Sequence, residues 1–212
     1  MNPRKDLASL HSANARRLQR FQSEVGLLDK LDDQQRDQAV ARVCIESLNQ
    51  WSNFSRAFYL SCVGGARTKK GTIARTALFS FVNAQAALDY ATVSAKPHIR
   101  HFPVKRREEP PWFDPALLLK LTYDLSLTNQ ASIIAGLSGK TYAFQHMPVF
   151  RNFFAHRNED THRKTTRIEA DLGGPIFKFP SRYLLHIPTG KTASVIEEWL
   201  IDLRIISDII TD

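Results

Sequence analysis

The chain has little of what an exported or membrane-bound protein needs. Only two of its 212 residues are cysteine, Cys44 and Cys62, and both sit in apolar helical stretches without a Cys-x-x-Cys partner. That count excludes a multi-bridge disulfide scaffold and suits a reducing cytosol. No segment approaches the roughly 20 uninterrupted apolar residues of a spanning helix. Met1 to Lys30 is charged and lacks the apolar core of a secretory leader, so neither export nor insertion is expected. A Walker loop is missing too. Gly139-Lys140-Thr141 matches its end, but Ile134 stands where the first glycine belongs and no strand is expected before it. His98 and His101 share a loop without a cysteine or matched carboxylates, so no metal and no cofactor is expected. There is no internal repeat and no low-complexity tail.

What the chain does have is positive charge. Lysine and arginine number 29 against 21 acidic residues, a formal charge of +8, so polyanions are attracted and nucleic acid leads the candidate partners. The stretches Arg67-Thr68-Lys69-Lys70 and Lys105-Arg106-Arg107 read equally as guides for RNA and as ordinary wet loops. A hydrophobic content of 43% is enough for a core, and residues 1–212 read as one domain.

Apolar spacing predicts mostly helix. Leu7, Leu10, Leu18, Phe21, Val25 and Leu28 mark a helix from about Asp6 to Lys30, read as an N-terminal helical extension over 1–32. Asp32 and Asp33 then cap a long helix whose stripe is Val40, Val43, Cys44, Leu48, Trp51, Phe54, Phe58 and Leu60, ended by Gly64 and Gly65. Trp51, Phe54 and Phe58 fit a core better than a base-stacking platform. Thr72 is expected to cap a third helix through Ile73, Ala77, Leu78, Phe81, Ala84, Leu88 and Ala91 up to Pro97. Four prolines between Ala95 and Pro111 make a loop. Asp114-Pro115 starts a helix expected to reach about Gly136, and Pro148 is expected to open another through His156. Over 165–190 the pieces Ile176-Phe177-Lys178-Phe179 and Tyr183-Leu184-Leu185-His186-Ile187 read as a small β-hairpin or an irregular insertion. Ser194 and Glu197 then form a capping box for a closing helix with Ile196, Trp199, Leu200, Leu203, Ile206 and Ile210.

Chemistry concentrates in Phe150-Arg151-Asn152-Phe153-Phe154-Ala155-His156-Arg157. Polar, reactive side chains interrupt an apolar helix there, which is costly unless they find partners or do chemistry. Asn152 and His156 are four apart and share a helix face. Arg151 stands about 140° from His156 and relies on its length to reach the same ligand. A helix start at Pro148 would add a field favourable to phosphate.

These residues resemble the motif of the higher eukaryote and prokaryote nucleotide-binding (HEPN) superfamily, whose ribonucleases share Arg-x(4 to 6)-His, commonly as Arg-Asn-x-x-x-His. Arg151-Asn152-Phe153-Phe154-Ala155-His156 has that form. Two other stretches meet the looser spacing. Arg4 to His11 lies in the opening helix, and Arg157-Asn158-Glu159-Asp160-Thr161-His162 is polar enough to read as a solvated helix end.

The resemblance implies an all-α, multi-helix HEPN-like bundle with a small β-hairpin or irregular insertion before the C-terminal helix. It also implies a homodimer that brings two motifs into one cleft and cuts RNA without a metal. Arg151, Asn152 and His156 would be catalytic. Arg157, Lys69, Lys70, Lys105, Arg106 and Arg107 are the weaker RNA-binding candidates. A cytoplasmic toxin or antiphage effector is the implied role, with a regulatory protein or antitoxin as a further partner. The alternative is a noncatalytic helical module that binds RNA or protein.

Overall fold

The structure is a computed structural model that describes residues 1–77, 80–139, 141–171 and 177–212. Among these residues the fold is an all-α, multi-helix bundle with one two-stranded antiparallel sheet. The helices are α1 (Leu7–Val25), α2 (Asp33–Val63), α3 (Ala84–Ala95), α4 (Pro115–Asp124), α5 (Gln130–Leu137), α6 (Tyr142–His156), α7 (Glu159–Asp171), α8 (Pro180–Leu185) and α9 (Val195–Ile210). Strands β1 (Ala66–Arg67) and β2 (Ile73–Ala74) form the sheet. No helix among the described residues is long and apolar enough to cross a membrane.

The chain divides into two compact units. The first holds Met1–Ala15, Trp51–Gly139 and Ile205–Asp212. Its core contains Leu7, Leu10, Trp51, Phe54, Phe58, Leu121, Leu125 and Ile133, all buried, so the aromatic stripe of α2 is core and not a stacking platform. The Tyr59 hydroxyl donates to the Ala87 carbonyl at 2.9 Å and so ties α2 to α3. The Glu109 carboxylate is a polar hub. It accepts from Arg56 at 2.6 and 3.0 Å, from Arg106 at 2.9 Å and from the Trp112 indole at 2.8 Å.

The second unit holds Arg16–Gln50 and Lys140–Arg204. Phe150 of α6 is buried there, with its ring 5.6 Å from both Tyr183 of α8 and Trp199 of α9. Leu18, Val40, Val43, Cys44, Met147, Leu184 and Leu200 complete this interior.

Start and stop signals account for several boundaries. Asp32 accepts from the Gln35 amide at 2.8 Å, and Asp114 from the Ala116 amide at 2.9 Å, with Pro115 at the first helical position. Glu197 reaches back to the Ser194 amide at 2.8 Å in the expected capping box.

Other boundaries differ from expectation. Residues 73 and 74 are strand, not helix. Gly71 turns the chain at φ 86, and the Thr68 amide donates to the Thr72 carbonyl at 2.8 Å, so Thr72 closes a hairpin instead of capping a helix. Asn83 is the real cap of α3 and accepts from the Ala86 amide. The helix begun at Pro115 breaks after Asp124, where Ser126 takes φ 47, and resumes as α5.

The small hairpin therefore lies at 66–74. Within 165–190, α7 continues to Asp171, and Tyr183 to Leu185 belong to α8, for which Pro180 is a first-turn proline. Leu78 of the expected third helix, Lys140 of the Walker-like triplet, and Gly173, Gly174, Pro175 and Ile176 of the β-like piece lie outside the described residues.

Candidate active site

Helix α6 buries Ala143, Met147, Phe150 and Phe154, a stripe at spacings of four, three and four. The same periodicity turns Asn152 and His156 outward. Both are exposed, and Arg151 is half-buried. Pro148 lies inside this helix and does not open it, contrary to the sequence expectation. Proline removes one backbone donor there, a cost that burial of the flanking Met147 and Phe150 side chains offsets. Arg151, Asn152 and His156 consequently occupy the last two turns. The backbone field there is negative, so the phosphate-favouring field expected from a nearby helix start is absent.

Among the described residues, the side chains of Arg151, Asn152 and His156 make no hydrogen bond or ion pair, and no carboxylate neutralises Arg151. The Arg151 charge is felt by the fully buried Cys44 thiol. Burial pushes that thiol well above its ordinary range, and Arg151 pulls in the opposite direction. Arginine left half-buried with its donors unused among the described residues is poised for an external anion.

Arg157 ends the helix. It adopts φ 47, donates its amide to the Phe153 carbonyl at 2.7 Å, and reaches the Asp37 carboxylate at 2.8 Å with its side chain. Asn158 then accepts from the Thr161 amide at 2.9 Å and starts α7. The second Arg-Asn set is thus split between two helices. Its asparagine is used as a cap, and its histidine, His162, is half-buried with its ring 5.7 Å from Phe153. That segment is the exposed end of α6, as expected, and it leads directly into α7. Arg4 of the third match precedes α1.

His11, of that same match, has a geometry that invites a catalytic reading. Its Nδ1 is 3.2 Å from the Ser207 hydroxyl and its Nε2 is 3.2 Å from the Asp208 carboxylate. A nucleophilic serine must meet substrate, whereas Ser207 is fully buried and the carboxylate is the open member. The arrangement is structural.

The basic candidates fall in the first unit, apart from Arg157, and they are unequal. Lys69 pairs with Asp208 and with Asp212 at 3.3 Å, Lys70 pairs with Asp212 at 3.4 Å, and Arg106 pairs with Glu109. Lys105 and Arg107 are exposed and make no ion pair among the described residues. His101 bonds Glu108 at 3.0 Å, His98 is exposed, and no three metal-ligating side chains converge among the described residues.

Sequence reasoning missed two buried polar groups of the second unit. Glu169 of α7 is fully buried. One oxygen accepts from the Phe177 amide at 3.1 Å and the other has no hydrogen-bond partner among the described residues. Burial raises its pKa, opposed by the Phe177 amide and by His162. His146 stacks on Tyr142 with ring centres 5.1 Å apart, and its buried Nδ1 lacks a hydrogen-bond partner among the described residues. Burial lowers its pKa, with Asp171 acting the other way. Thr161, Thr165 and Glu169 recur at intervals of four behind a capping asparagine, which was the available signal for α7. Searches of protein-family models, curated proteins and solved structures found no match to this chain.

Proposed function

We propose that the chain is a metal-independent endoribonuclease of the HEPN type, acting as a homodimer with Arg151, Asn152 and His156 as its catalytic groups. One observation carries this reading: among the described residues these three side chains are uncommitted, and they share the last two turns of one helix with His156 open to solvent. In the reaction, one His156 accepts the ribose 2′-hydroxyl proton as that oxygen attacks phosphorus. The bond from phosphorus to the 5′-oxygen breaks, and the leaving oxygen takes a proton from the His156 of the second copy. The products are a 2′,3′-cyclic phosphate and a 5′-hydroxyl. Arg151 balances charge on the phosphoryl oxygens, and Asn152 orients phosphate or imidazole. The toxin or antiphage role, a regulatory partner and a cytoplasmic location follow from the family resemblance.

The test is cleavage of RNA in chelator with end-group analysis. His156→Ala should lose about 10²- to 10⁴-fold in rate while retaining the dimer, since the residue is exposed. Undiminished cutting by that variant would remove His156 from the mechanism. An intact dimer that binds RNA without cutting it would instead identify a noncatalytic module.

A further inference from the structure

The second unit contains a cleft of about 320 Å³ that the proposed reaction does not use. It is lined by Asp33, Gln34, Arg36 and Asp37 at the start of α2, by Arg157, and by Phe179, Ser181, Arg182 and Leu185 in and before α8. We propose that this cleft binds one unpaired nucleotide of the RNA strand, with a preference for bases that carry an exocyclic amino group. Its position beside the reacting phosphate rests on the nuclease reading, because Arg157 directly follows His156.

Four features support a nucleotide. The volume lies at the small end of the range for small-molecule sites, about 300 to 1,000 Å³. Phe179 is 47% exposed, and with Lys178 Nζ 5.4 Å from its ring centre it pairs an aromatic face with a positive charge, a combination on which nucleotides stack. Arg36 is locked as part of the wall, since it donates to the Leu28 and Leu31 carbonyls at 3.1 and 2.8 Å. Arg157 and Arg182 are the exposed charges. Each is held by one carboxylate contact, to Asp37 at 2.8 Å and to Asp33 at 3.0 Å, and a guanidinium has further donors for phosphate. Two aspartates among three arginines leave an excess of positive charge for phosphate, and they supply acceptors that suit amino groups on guanine, adenine or cytosine and repel the carbonyl edge of uracil.

The test is calorimetric titration of the full chain with guanosine 5′-monophosphate, uridine 5′-monophosphate and inorganic phosphate. The guanosine nucleotide should bind severalfold more tightly than the uridine nucleotide, and inorganic phosphate more weakly than either. Phe179→Ala and Arg182→Gln, both at exposed positions, should each weaken guanosine nucleotide binding about tenfold. Equal affinity for inorganic phosphate, equal affinity for the two nucleotides, or no nucleotide binding would overturn the proposal. The two ideas fail separately: RNA cut without nucleotide binding removes the cleft and keeps the nuclease. Nucleotide bound by a protein that never cuts does the reverse.

Discussion

Replacing Glu169 by glutamine should stabilise the protein at neutral pH and change nothing at acid pH. The carboxylate is fully buried, one oxygen has only the Phe177 amide, and the other has no partner among the described residues. A buried ion without a counter-charge costs several kcal/mol, while a neutral polar group left half-satisfied costs about 1–3 kcal/mol. The Phe177 amide and His162 recover part of the ionic cost, so the advantage of glutamine should be about 1–3 kcal/mol. In a chain of this size each kcal/mol moves Tm by about 2–4 °C. The folded pKa is raised, so the favourable contribution of wild-type Glu169 is complete below the ordinary glutamate range and is lost as pH rises through the raised value. Thermal melts of both proteins across a pH series should give curves that coincide in acid and diverge towards neutrality, with the glutamine variant higher by about 2–12 °C. Parallel curves, or a glutamine variant less stable at every pH, would show that Glu169 is compensated in a way its two oxygens do not reveal.

Four further outcomes test other parts of the structure. Gly136→Ala should destabilise, although alanine favours helix by about 1 kcal/mol. Its Cβ would meet Ile210 Cγ2 at 2.5 Å and Ile209 Cγ2 at 3.4 Å, and overpacking costs about 1–3 kcal/mol; a stabilised variant in urea denaturation would refute this. Glu109→Ala should cost about 3–5 kcal/mol because it strands Arg56 and the Trp112 indole, and a loss below about 1 kcal/mol in the same assay would contradict the hub. Arg107→Glu should leave stability unchanged and, if that loop contacts RNA, reduce the salt dependence of binding by about 0.7 in logarithmic slope. Lys69→Glu should lower stability through Asp208 and Asp212.

What was legible in the sequence depended on which force set each element. The stripe from Val40 to Leu60 and the closing stripe from Ile196 to Ile210 were legible because apolar burial alone defines those faces, and every residue named in them is buried. Helix α7 was not, because the residues it buries are Thr161, Thr165 and Glu169, and a polar interior face leaves no hydrophobic rhythm. The helical spacing from Ile73 was real but lost to a turn at Gly71 and the pairing of Thr68 with Thr72. Pro148 misled for the opposite reason. Local cost argues for a helix start, and burial of Ala143, Met147 and Phe150 carries the helix through it. At the candidate site the helix end at His156 was legible, whereas the distance of Arg151, Asn152 and His156 from the helix start required knowing where α6 begins.

That place changes how the proposed chemistry must work. A phosphate brought to His156 meets the carbonyl end of α6, a field that opposes it. Attraction must then come from side chains, and a guanidinium already neutralised by a carboxylate contributes less of it. Arg157 is partly neutralised by Asp37, while Arg151 meets no carboxylate among the described residues. The lack of a carboxylate partner for Arg151 among the described residues is therefore what the proposed reaction requires: the last turns of α6 would hold a phosphodiester only if one arginine keeps its full charge for it, and a second copy of the helix would double that charge at one phosphate.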